Sequence, residues 1–251
     1  VTDQTLALAS VRLTPMGDGI EEPAELRRQD GSSVYEIAGS AVYTSEDILA
    51  AEQRLVHTAG LGDGHRASGD AVALALLEQA ANGVSLNPGQ TALVTGMATS
   101  GNRLQLAIAP AGTGKTTAMR ALTAVWVEDG GTVLGLAPSA AAAAVLREQT
   151  GATTDTLAKL TWSLAHDDLP DWARAIDART LVVIDEAGMA DTLSLDTAVQ
   201  FVTARGGQVR LIGDTQQLAA IGAGGVLRDI AATHGALHLA DLRTRADEFE
   251  P

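Results

Sequence analysis

The chain of 251 residues contains no cysteine, which excludes disulfides and cysteine–zinc centres. Aromatic residues make up only 3%, so a core has to be assembled from Ala, Val, Leu and Ile, within a hydrophobic total of 46%. Basic residues are also scarce. Seventeen Lys and Arg face 31 Asp and Glu, giving a net charge of -14. That is the wrong overall sign for a protein held to nucleic acid by charge alone, although it does not forbid a local groove. No apolar run approaches the ~18 residues of a transmembrane helix. No charged-then-apolar leader opens the chain, and Val1 is not an initiator methionine. The expectation is therefore an internal piece of a longer, cytoplasmic protein.

What is present is one well-formed chemical signature. An apolar run from Leu104 to Ile108 enters the small-residue loop Ala109-Pro110-Ala111-Gly112-Thr113-Gly114, followed by Lys115, Thr116 and Thr117 and then a helical pattern. Strand, glycine loop, lysine, hydroxyl and helix make up a phosphate-binding loop. Its glycines let consecutive backbone N–H groups curl around an anion, and the helix N-terminus adds positive potential. In this reading Ala111, Gly112, Thr113, Gly114, Lys115, Thr116 and Thr117 bind the phosphates of a nucleotide. Lys115 reaches the β- and γ-phosphates and Thr116 ligates Mg²⁺. Ala109 stands where the usual pattern has glycine.

From residue 86 onward apolar runs alternate with helical stretches, which argues for a parallel α/β sheet. Strands are predicted at 104–109, 132–137, 180–184 and 208–212, with a weaker one at 238–242. Helices are predicted at 118–127, 140–149 and 193–203. Before that, 1–45 reads as short strands (9–13 and 33–37) and loop. Residues 46–83 read as two helices, the first started by Ser45-Glu46-Asp47 and the second carrying Val72, Leu74, Leu76 and Leu77. The predicted architecture is a RecA-like P-loop NTPase sheet with helices on both faces over 84–251, preceded by a small mixed α/β region (1–45 and 46–83).

The strand at 180–184 ends in Asp185-Glu186. At the C-terminal edge of a parallel sheet such acids face the phosphate loop. Asp185 then holds Mg²⁺, and Glu186 orients and deprotonates the attacking water. The strand at 208–212 ends in Gly213-Asp214-Thr215-Gln216-Gln217, where the Gln217 amide can sense the γ-phosphate.

Ala-Gly-Thr-Gly-Lys-Thr, Asp-Glu-Ala-Gly and Gly-Asp-Thr-Gln-Gln-Leu, in this order, resemble motifs I, II and III of superfamily 1 DNA helicases of the RecD-like branch. Leu86-Asn87-Pro88-Gly89-Gln90 resembles that superfamily's Q motif, which implies that Gln90 reads the adenine of ATP. Gly135-Leu136-Ala137-Pro138-Ser139 resembles motif Ia, and Thr153-Thr154-Asp155-Thr156-Leu157 the threonine motif that follows. The resemblance implies single-stranded DNA contacts for Pro138, Ser139 and Thr156, although Ser139 also suits a helix N-cap. The motif wording, with Tyr43-Thr44-Ser45-Glu46-Asp47-Ile48-Leu49, is most similar to the helicase part of MobF-class conjugative relaxases. That implies an ATP- and Mg²⁺-dependent 5′-to-3′ motor on single-stranded DNA during plasmid transfer. It also implies a relaxase domain and a second RecA-like domain in the parent protein.

The five histidines form no three-histidine cluster, so no nicking activity is expected, and His234 and His238 read as structural. Leu242-Arg243-Thr244-Arg245 resembles the start of motif IV, but neither arginine is assigned a phosphate contact. Without the second domain's arginine, these residues are expected to bind nucleotide weakly, hydrolyse it slowly and leave duplex DNA intact. Two other readings share the phosphate loop. One is a RecD-type recombination or repair helicase, and the other a P-loop small-molecule kinase or ATP switch that never meets DNA.

Overall fold

The computed structural model describes residues 10–12, 43–110, 112–214 and 224–239. The chain divides into two compact units, 1–51 and 52–251. In the first, β1 (Val11–Arg12) pairs antiparallel with β2 (Tyr43–Thr44). The predicted strand at 33–37 lies outside the described residues. Helix α1 (Glu46–Ala59) begins where expected, its Ile48 N–H donating to Ser45 Oγ at 3.2 Å.

The second unit is built on six strands: β3 (Leu104–Ile108), β4 (Thr132–Ala137), β5 (Thr153–Thr156), β6 (Thr180–Ile184), β7 (Gln208–Gly213) and β8 (Leu237–His238). They lie in the order β5-β4-β6-β7-β3-β8, and every pairing is parallel. The helices are α2 (Gly69–Ala81), α3 (Pro88–Thr99), α4 (Lys115–Glu128), α5 (Ala140–Thr150), α6 (Leu157–Ala165), α7 (Asp171–Arg174), α8 (Thr192–Ala204) and α9 (Gly224–His234). This is the RecA-like α/β sheet expected from the sequence.

Alternate strand residues feed two cores, as the period-2 pleat requires. Leu106, Ile108, Leu134, Leu136, Val182, Ile184, Val209 and Leu211 join Leu195, Val199 and Val202 of α8 and Leu227 and Ile230 of α9. Ala107, Val133, Leu181, Val183 and Ile212 join Leu93, Val94 and Met97 of α3 and Leu122, Val125 and Trp126 of α4. Every strand of the four-strand centre is buried on both faces, which explains their unbroken apolar runs.

The helix caps follow local chemistry. Asn87 and Gln90 form a reciprocal capping box on α3, with Pro88 at its first turn. Ser139 caps α5, Thr156 caps α6 and Asp191 caps α8, each accepting a backbone N–H. Gly151 stops α5 in the left-handed region at φ 73°. Three sequence expectations need correction. The threonine motif is an edge strand, β5, followed by two helices that the sequence reading did not mark. In α2 it is Val72 and Ala75 that are buried, whereas Leu74 and Leu77 are 59% and 68% exposed. The last strand covers Leu237–His238, and residues 240–242 lie outside the described residues.

Candidate nucleotide-binding and hydrolysis site

The strand register brings the chemistry to one edge. Ile108 pairs with Gly213, Ile184 with Leu211, Leu136 with Ile184, and Ala137 with Thr156. The phosphate loop, Asp185-Glu186, Asp214, Pro138-Ser139 and Thr156 therefore all emerge from the same C-terminal edge. That is where an open parallel sheet binds its ligands.

The loop leaves β3 through Ala109, whose N–H donates to Gly213 O at 2.9 Å. Ala109 is buried within the core on the α3–α4 side, so its methyl group packs where a glycine would leave space. Gly112 and Gly114 adopt φ 82° and 84°, a region costly to any residue with a Cβ. Thr113 braces the turn by donating its hydroxyl to Pro110 O at 2.7 Å. Gly114 is the N-cap of α4 and supplies no side chain to the helix end. The first-turn N–H groups of α4 are thus left for an anion, supported by the helix dipole. Ala111 and Gln217 lie outside the described residues.

Lys115 Nζ lies 2.8 Å from Asp185 Oδ1, across 70 residues of sequence. Asp185 Oδ1 also accepts the Glu186 N–H at 2.9 Å. The ammonium and carboxylate are 30% and 14% exposed, so the pair is shielded and still reachable. Among the described residues the Thr116 hydroxyl has no hydrogen-bond partner. Thr116 and Asp185 thus offer two oxygen donors of the hard type that Mg²⁺ takes, with phosphate and water completing the shell. The donor set fits the metal.

Glu186 sits at φ 53°, ψ 37°, a left-handed conformation uncommon for a residue with a side chain and enriched at functional sites. Its carbonyl accepts Met189 N at 2.9 Å in the short 3₁₀ turn Ala187–Met189. The sequence named Glu186 for its position after Asp185, but not this backbone strain.

Gln90 is buried, 6% exposed. Its Oε1 accepts Asn87 N at 2.9 Å, and its Nε2 donates to Gly114 O at 3.0 Å. The structure therefore joins the Q-motif glutamine directly to the phosphate loop. A Cβ on Gly114 would collide with the Gln90 amide. Ser139 Oγ accepts Ala142 N at 3.1 Å and Thr156 Oγ1 accepts Lys159 N at 3.0 Å. Pro138 and Thr156 are half-buried and Ser139 exposed. Arg147, which sequence reasoning passed over, fixes β5 by donating to Thr154 Oγ1 at 3.2 Å and Thr154 O at 3.0 Å.

A family model described as an AAA domain matches residues 85–250. The chain belongs to this AAA domain family. Two similar proteins are a probable conjugal transfer protein TraA of Sinorhizobium fredii and a conjugal transfer protein TraA of Rhizobium radiobacter. Each is 32% identical, over 147 and 149 residues respectively, which is 59% of this chain. The chain spans 13% of the length of these relatives. A solved structure with partial overlap is the UvsW helicase from bacteriophage T4. It has a TM-score of 0.43 and 12% identity, covering 57% of this chain and 56% of that one. The match takes in the phosphate loop, Asp185-Glu186 and Gly213-Asp214, so the site described above lies within the AAA domain. Among the described residues no helix is long and apolar enough to cross a membrane.

Proposed function

We propose that this AAA domain is the first motor domain of an ATP-driven, 5′-to-3′ single-stranded DNA translocase that acts in plasmid conjugation. Residues 84–251 form the motor core, with 46–83 as a helical accessory and 1–45 as a separate strand-and-loop region. The observation that carries the reading is the Lys115–Asp185 pair at 2.8 Å beside the uncapped α4 N-terminus and the strained Glu186.

On nucleotide entry the β- and γ-phosphates take the Lys115 ammonium and the first-turn N–H groups of α4. Asp185, released from lysine, and the Thr116 hydroxyl would hold Mg²⁺, which would supply positive charge against the phosphates. Glu186 accepts a proton from the attacking water as its oxygen bonds to the γ-phosphorus. The β–γ bridging P–O bond breaks, and ADP and phosphate result. Gln217 senses whether the γ-phosphate is present. Gln90 reads the adenine edge with the amide hydrogen that its bonds to Asn87 and Gly114 leave over. Pro138, Ser139 and Thr156 face single-stranded DNA. A second RecA-like domain and a relaxase domain are the partners in cis. By themselves these 251 residues hydrolyse ATP slowly and do not separate strands.

ATP hydrolysis by the intact parent protein, measured with and without oligothymidylate, tests the reading. Stimulation by single-stranded DNA, abolished by Lys115→Ala, is expected. An unstimulated rate would favour an ATP switch that does not act on DNA.

A further inference from the structure

Helix α6, capped by Thr156, carries a surface that the nucleotide site does not use. The helix turns Leu157, Leu160 and Ser163 into the protein and leaves Trp162 48% exposed. The other two tryptophans are covered: Trp126 is fully buried and Trp172 partly so. Leaving a large indole half in water forgoes burial that a folded protein ordinarily exploits.

The surroundings of Trp162 are ordered rather than incidental. The His166 ring stacks on the indole with centroids 4.2 Å apart and planes 18° from parallel. Its Nδ1 is fixed by a 2.8 Å hydrogen bond to the Trp162 carbonyl, so Nδ1 carries the proton. Lys159 Nζ lies 5.0 Å from the indole centroid. His166 therefore backs one face of the indole, and the flexible Lys159 side chain places its ammonium over the ring.

We propose that Trp162, backed by His166, is a stacking platform for a base of single-stranded nucleic acid, with Lys159 swinging off the ring to meet the adjoining phosphate. The inference rests on the DNA reading given above and deepens it. Two further observations favour a base over a protein partner. Thr156, the N-cap of this helix, ends β5 at the sheet edge that also holds Ser139, and Trp162 follows about 9 Å along the helix, within reach of a strand bound at that edge. The exposed sequence neighbours of Trp162 are polar or small (Ala158, Lys159, Ala165, His166, Asp167 and Asp168), so on this helix the indole is not part of a contiguous apolar patch of the kind that marks a protein interface. The nearby Asp155, Asp167 and Asp168 repel phosphate. Stacking rather than ion pairing holds the strand here, so binding is tolerant of sequence because every base has a π-face.

The test is titration of the chain with an oligothymidylate of about 16 nucleotides, a length that spans a single-strand site, read by tryptophan fluorescence and by anisotropy of a labelled strand. Trp162→Ala is expected to weaken binding on the order of tenfold or more, and Trp162→Phe to restore most of it. ATP affinity and thermal midpoint should be unchanged in both. Lys159→Ala, which leaves the indole in place, is expected to lower the salt dependence by about 0.7 in the log–log slope, the contribution of one phosphate on a single strand. Binding by Trp162→Ala equal to the parent overturns the platform and leaves the DNA reading standing. Equal loss in the Ala and Phe variants, with a lowered melting midpoint, overturns it in favour of a structural role. Absence of any binding by the parent chain overturns both readings.

Discussion

At the N-terminal end of the sheet Arg210 is fully buried, and fixed groups take up its guanidinium. Nε and Nη2 donate to Met97 O at 3.2 and 2.9 Å, Nη1 to Asn102 O at 2.9 Å, and Nη2 to Gln208 Oε1 at 2.8 Å. At the C-terminal end Lys115 holds one carboxylate, Asp185, and remains reachable by solvent. Both are cations tied to the same sheet. Among the described residues Arg210 has no carboxylate partner. Burial pushes its pKa down to about 9, and the carbonyls at the end of α3 supply the negative potential that keeps it charged at neutral pH. Its neighbour Arg103 is likewise locked, to both Asp63 oxygens at 2.8 and 3.2 Å and to the Gly206 carbonyl. One end spends its polar groups on the protein. The other keeps an ammonium, a carboxylate and a helix N-terminus for exchange with a ligand.

If this contrast is right, substitutions at the two ends separate function from stability. Lys115→Ala should impair binding and chemistry together: hydrolysis lower by about 10²–10³ and nucleotide affinity lower on the order of tenfold to a hundredfold, measured by phosphate release and calorimetry. Arg210→Met should leave nucleotide affinity within about twofold, yet cost about 3 kcal/mol by orphaning the Met97 and Asn102 carbonyls. The melting midpoint should then fall by roughly 6–12 °C. An intact midpoint would mean that Arg210 is not the clamp described.

Glu186→Gly should abolish the general base while relieving left-handed strain worth about 1 kcal/mol. An inactive protein that melts about 2–4 °C higher is expected; a lower midpoint would remove strain from the account. The smallest effect belongs to Asp63→Asn. The hydrogen bond from Arg103 holds the Asp63 carboxyl below its ordinary range. A depressed carboxylate contributes stability above its unfolded pKa and loses it as pH falls through the folded value. The variant should melt about a degree lower at pH 7, and the gap should close as pH falls below the ordinary carboxylate range.

The sequence was most legible where local chemistry and tertiary structure agree. β4 and β6 were placed at their observed bounds, because buried parallel strands have to be unbroken apolar runs. The phosphate loop was readable because its glycines, lysine and hydroxyls are adjacent in the chain. β5 was not read as a strand, because Thr153-Thr154-Asp155-Thr156 has no apolar pattern. What holds it is pairing with β4 and the grip of Arg147 on Thr154, and both are tertiary. Leu74 and Leu77 fitted a helical stripe but stay exposed, since α2 turns Val72 and Ala75 inward instead. Asp185 and Gln90 were named for roles toward a ligand. Their bonds to Lys115 and to Gly114 cross 70 and 24 residues, and no local pattern records such distances. The left-handed Glu186 has no sequence signature either, because no glycine marks the position.

The central claim is that the C-terminal edge is a hydrolytic ATP site in which Glu186 activates water and Lys115 and Asp185 handle the phosphates and metal. Single-turnover hydrolysis of ATP by Glu186→Gln, with ATP affinity measured on the same samples in Mg²⁺, tests it most directly. The account predicts affinity equal to or tighter than that of the parent, with hydrolysis slower by about 10²–10⁴. Unchanged hydrolysis, or affinity lost in step with hydrolysis, would contradict it.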